Sequence, residues 1–172
     1  MRFGILFTAF LLIAVSSCKS SKTVDFKESL DKSERTAFDI IVGKKGSGEK
    51  KLKCLEKEDY KCALIAVNQQ SREFDILINS IKKLSVDGID KGEPLKTAYI
   101  EYYQSLKELH GFDSKEIKQQ SILHTLKNEQ LKKAQDNLIT LAKLKKKLYS
   151  AVYEKEALLH RASESFKTAN RL

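Results

Sequence analysis

The chain from Ser114 to Leu172 contains neither glycine nor proline. Those two residues cost a helix interior about 1 and 3 kcal/mol, so nothing local stops a helix here. From Leu131 onward a heptad register holds through Leu131, Ala134, Leu138, Leu141, Lys145, Leu148, Val152, Lys155, Leu159, Ala162, Phe166 and Ala169. Ten of these twelve positions are apolar, which makes a one-sided seam that must be covered by another helix. Carried upstream, the register puts Lys127 and His124 in the seam, where Leu123 and Leu126 fit better. The phase therefore slips between Lys127 and Gln130. Either one helix stutters there, or the chain breaks near Asn128 and its halves pack together. The preferred reading is one long helix, about 85 Å from Ser114 to Asn170, with a compact bundle around part of it.

The rest of the chain also reads as helix. Phe26, Leu30, Ala37 and Ile41 place a first helix over Asp25 to Val42. Gly43-Lys44-Lys45-Gly46-Ser47-Gly48 ends it and reads as a flexible loop. It lacks the spacing and the preceding strand of a phosphate-cradling loop. A second helix is expected from Glu49 to about Leu84, on Tyr60, Leu64, Val67, Phe74, Ile78 and Ile81. A connector with Gly88 and Gly92 precedes Pro94, which suits a first helical turn. The third helix, Leu95 to about His110, carries Leu95, Ala98, Tyr99, Tyr102, Leu106 and Leu109. Gly111-Phe112 reads as its stop and Asp113 as the cap of the next segment, which should fold back. The expected fold class is all-α: an antiparallel helical bundle or hairpins with a long C-terminal heptad-patterned helix.

The first residues point to an address. One positive charge at Arg2, an apolar run from Ile5 to Val15, and small residues before Cys18 make a secretory signal. Eleven apolar residues are too few to span a hydrocarbon core of about 30 Å. Val15-Ser16-Ser17-Cys18 resembles a lipobox, the motif of bacterial lipoproteins. That resemblance covers about 20 residues. It implies cleavage before Cys18, a diacylglyceryl thioether on its sulfur, and attachment to the membrane through that lipid. The layout is then signal peptide 1–17, lipidated cysteine and tether 18–24, and helical domain 25–172. Lys19 is not the aspartate that resembles an inner-membrane retention signal, so the expected site is the outer membrane, facing the periplasm or the outside.

Few residues carry chemistry. Cys54 and Cys62 are the other cysteines, and an oxidising compartment favours a bond between them. Eight residues of unbroken helix would hold them about 12 Å apart. A disulfide needs Cα atoms within about 7 Å, so it requires a turn near Glu56 to Asp59. Two free thiols are the alternative. His110, His124 and His160 are scattered and match no ligand spacing, so no metal or cofactor is expected. His110 reads as a helix-end residue. Glu56, Glu58 and Asp59, like Glu154 and Glu156, read as solvated faces, and Tyr99, Tyr102 and Tyr103 as core. The formal net charge is +9, and the segment from Asp113 on holds 13 Lys and Arg against 7 Asp and Glu. Lys143, Lys145, Lys146 and Lys147 form its densest basic run.

The expected function is non-catalytic. A lipid-anchored helical envelope protein would act as a protein-interaction or scaffolding module, binding another protein or itself through Leu131, Leu138, Leu141, Leu148, Val152 and Leu159. One alternative is a basic helical binder of an anionic polymer or surface, like a chaperone or adhesin. Another is a small inhibitor or immunity lipoprotein. Nucleic acid is not expected as a partner.

Overall fold

The computed structural model describes residues 21–123 and 125–172. The expected signal segment and the expected lipid site at Cys18 lie outside the described residues, as does His124. The described residues form an all-α fold: α1 Ser21–Val42, α2 Ser47–Glu56, α3 Tyr60–Lys82, α4 Gly92–Leu123 and α5 Asn128–Asn170. No helix among them is long and apolar enough to cross a membrane.

The segment is already helical at Ser21, within the stretch read as tether. α1 buries Phe26, Leu30, Ala37 and Ile40, and Ile41 packs at the margin of this stripe. The glycines after it are not slack. A Cβ on Gly46 would run into the Asp39 carbonyl oxygen, and one on Gly48 into that of Ile41. Glycine lets α2 start directly against the last turn of α1, and Ser47 and Gly48 are buried there. The expected single helix from Glu49 to Leu84 is split into α2 and α3. Glu58 turns the chain with φ of 54°, and the Asp59 carboxylate caps α3 by accepting from the Cys62 N–H at 2.9 Å.

α4 corrects two expectations. It runs unbroken through Gly111 and Phe112 to Leu123, so there is no helix stop at Gly111 and no cap at Asp113. Phe112, Asp113 and Ile117 are all buried on its inner face. Their packing outweighs the roughly 1 kcal/mol that a mid-helix glycine costs. The fold-back comes between α4 and α5 instead. The long helix from Ser114 is therefore not continuous: the phase slip is a break, and Asn128 opens α5 with φ of 51°. α5 is still 43 residues, about 64 Å.

Side-chain pairs give the topology. Ser47 donates to Glu73 at 2.6 Å, and Lys107 pairs with Asp75 at 2.5 Å. Lys145 bonds Glu116 at 2.5 Å and Lys155 bonds Glu101 at 3.0 Å. Phe26 meets Phe166 at 5.8 Å between ring centres. α1 and α2 thus run one way as a single interrupted leg, α3 returns, α4 runs forward and α5 returns along it. This is an up-down-up-down four-legged bundle. The heptad seam of α5 faces inward: of its twelve positions only Ala169 is exposed, and Val152, Leu148, Leu159 and Phe166 join the main core.

Candidate functional site

The bundle has two ends: residues 43–72 and 107–147 make one, and 21–42, 73–106 and 148–172 make the other. The terminal end holds the start of α1, the 83–91 connector and the end of α5. The hairpin end holds the α2–α3 turn and the α4–α5 turn. Chemistry is concentrated at the hairpin end.

Inside it lies an ionic knot built from three helices. Lys51 of α2, only 8% exposed, donates to Asp113 of α4, also 8% exposed. Lys145 of α5 reaches the other oxygen of Asp113 at 2.7 Å and Glu116 at 2.5 Å. Burial alone would raise the Asp113 carboxyl, but hydrogen bonds from Lys145 and Lys51 outweigh it and hold the group below the usual carboxylate range. Burial works the other way on Lys145, and its two carboxylate partners overcome it, so its ammonium group is raised. His110 stacks on Phe74 beside this knot, with ring centres 6.0 Å apart. Burial, then the Lys51 charge, depresses its imidazole to about 4. His110 is therefore neutral near pH 7. It is not a helix-end residue, because α4 continues past it.

Two lysines face two carboxylates here, so the knot is internally balanced. It ties α2, α4 and α5 to one another. Lys145 and Lys155, the two polar positions of the seam, are the ones that pair with α4 acids, a usual device for setting helix orientation.

At the tip, Cys54 and Cys62 are bonded, with Cα atoms 5.7 Å apart across the α2–α3 turn. The turn supplies the geometry that an unbroken helix would deny. A cleft beside the disulfide is lined by Lys44, Lys45, Lys50, Lys53 and Lys57.

The basic run of α5 divides. Lys145 points into the knot, whereas Lys143, Lys146 and Lys147 are exposed. They are joined at the hairpin end by the α2 lysines and by Lys61, Arg72, Lys115, Lys118, Lys127, Lys132 and Lys133. Residues 43–72 and 107–147 together hold 18 Lys and Arg against 9 Asp and Glu, net +9. The described remainder, 21–42, 73–106 and 148–172, holds 12 against 14, net −2. Fifteen of the 18 cations are exposed, but only six of the nine acids. Charge is sorted by end of the bundle, not by segment of the chain. The contribution of α2 and its flanks was missed in the sequence, although Lys44 to Lys61 already holds seven lysines against four acids.

Other sequence candidates fall elsewhere. Tyr99 and Tyr103 are core residues, and Tyr99 donates its hydroxyl to Glu34. Burial first, then the Glu34 carboxylate, pushes both phenols well above their ordinary value. Of the seam residues, Val152 is buried and Leu131, Leu138, Leu141, Leu148 and Leu159 are half-buried, lying toward α4 of the same chain. Among the described residues, no group of three or more His, Cys, Asp or Glu is placed to hold a metal ion. No protein-family model, no curated protein and no solved structure matches this chain.

Proposed function

We propose that this is a lipid-anchored, non-catalytic helical protein of the cell envelope that uses its hairpin end to bind an anionic polymer or surface. The single observation that carries the reading is the sorting of charge, net +9 at one end and −2 at the other. The anchor rests on the lipobox resemblance at Cys18. A non-catalytic role is supported by the ionic knot, whose groups satisfy one another inside the bundle. A scaffold acting through the α5 seam has less support, because α4 takes up much of that stripe.

Location of charge can be separated from amount of charge. One variant carries Lys53→Glu, Lys57→Glu, Lys143→Glu and Lys147→Glu. A control carries Lys32→Glu, Lys82→Glu, Lys83→Glu and Arg161→Glu at the terminal end. All eight side chains are exposed, and both variants change net charge equally. The chain from residue 18 with Cys18→Ser keeps the whole described core, Phe26 to Phe166, and serves as the unlipidated background. Anisotropy of labelled heparin, a soluble polyanion probe, should show binding that weakens at least 10-fold between 50 and 200 mM salt. The first variant should lose it and the control should keep it. Equal loss in both would defeat the proposal.

A further inference from the structure

Building on the anionic-binding reading, we infer that the partner of the hairpin end is an anionic phospholipid surface. Three observations distinguish it from other polyanions. The first is the kind of cation. Of the 18 at this end, 17 are lysines and one is Arg72. Recognition of a defined phosphate or base favours the planar fork of arginine, whereas a fluid, diffuse negative surface needs only point charges on flexible stems. The second is distribution. The exposed cations come from α2, α3, α4 and α5 and their connections: five lysines line the cleft beside the disulfide, and the other ten lie outside it, more widely spread than one groove for a linear polymer requires.

The third is what stands among them. Leu52, Ile65, Ile122, Ile139 and Leu144 are each 43–56% exposed at this same end, one or two from every helix there. All of the large hydrophobic side chains exposed at this end are aliphatic. The exposed aromatic ones, Phe38, Tyr149 and Tyr153, lie outside residues 43–72 and 107–147, as do the exposed Val42, Ile76 and Leu172. Polymers of bases are held by aromatic stacking platforms, and among the described residues 43–72 and 107–147 no Phe or Tyr is exposed. Aliphatic side chains interspersed with lysines suit a bilayer interface, where lysines meet headgroup phosphates and the apolar groups enter the acyl boundary. The start of α1 lies at the opposite end of the bundle, separated from the hairpin end by the length of α4, about 48 Å. Contact at the hairpin end is thus separate from attachment at Cys18.

The test uses the unlipidated chain from residue 18 with Cys18→Ser, so that the anchor cannot contribute. Co-sedimentation with phosphatidylglycerol vesicles should show binding at least 10-fold stronger than with phosphatidylcholine vesicles. The triple variant Leu52→Ser, Ile122→Ser and Ile139→Ser, folded by circular dichroism, should lose at least 5-fold in vesicle affinity. Its heparin affinity should stay within 2-fold. Heparin binding without vesicle binding would overturn the lipid inference and leave the anionic-binding reading standing. So would a triple variant that binds vesicles as well as the parent. Binding to neither probe would overturn both.

Discussion

The two ends of the bundle are held together differently. The terminal end is knit by apolar volume: Phe26, Leu30, Phe74, Leu95, Tyr99, Tyr103 and Phe166 are buried in one cluster. The hairpin end has a separate, smaller cluster of Cys54, Ala63, Val67 and Ile117. There the structure adds a disulfide and a buried ionic knot. The difference teaches how an end can carry a strongly cationic surface. Large apolar residues are few there, so specific ties take over part of the work of the core. The internal charges are neutralised in pairs, and the whole net charge of +9 is left on the outside.

The largest expected effect tests the terminal end. Phe166 is fully buried, and Phe166→Ala should cost about 3–5 kcal/mol in denaturant unfolding. Ile117→Ala, in the smaller cluster, should cost about 2–4 kcal/mol. If Ile117→Ala proves the more costly of the two, the contrast between the ends is wrong.

The next effect is acid sensitivity, which belongs to the hairpin end. The unfolded chain protonates His110 near pH 6.5, whereas the folded chain resists until about pH 4. The unfolded state therefore binds more protons in that interval, and stability falls as pH drops through it. The loss by pH 4 should be about 2–3 kcal/mol. Asp113 has a depressed folded value, so its contribution is present above its unfolded value of 3.8 and is lost as pH falls below that. Denaturation midpoints at a series of pH values, for the parent and His110→Leu, decide the matter. The variant should be flatter between pH 6.5 and 4, and a parallel decline in both would remove His110 from the account.

Much of this fold was legible in the sequence, for identifiable reasons. The α5 seam was readable because ten apolar residues repeat at one spacing, and eleven of its twelve positions lie at least partly buried. The slip at Lys127–Gln130 was visible as a change of phase. Whether it meant a stutter or a break depended on α4 being long enough to receive α5, which no local pattern states. Gly111 and Asp113 were misread for one common reason. A glycine followed by a small acid looks like a stop and a cap, and only the partners from α2 and α5 show the acid to be interior. The basic end was half legible. Lys143, Lys146 and Lys147 stood out as a run, whereas the α2 lysines join them only after the chain has folded.

A covalent tie gives an intermediate effect. Closing a loop of about nine residues should contribute roughly 2.5 kcal/mol. Cys54→Ser with Cys62→Ser should lower the unfolding free energy by about that amount. The cost should appear first as faster hydrogen exchange in α2 and the start of α3, with α1 and the end of α5 unaffected. Uniform acceleration through the bundle would mean that the two ends unfold as one unit, and the comparison would then hold for composition but not for stability.

The smallest effect should be a gain. Gly111 lies inside α4, outside the positive-φ region, and a Cβ built on it meets nothing within 4 Å. Gly111→Ala therefore removes a helix penalty without creating a clash, and should stabilise by about 0.5–1 kcal/mol. Gly48→Ala should do the reverse, since its Cβ would collide with the Ile41 carbonyl oxygen. One glycine is a position where the helix tolerates a weak residue, and the other is a position where two helices need one. A loss on Gly111→Ala would show that α4 bends or opens at this point, and that the stop read from the sequence reflects a real weakness beside the ionic knot.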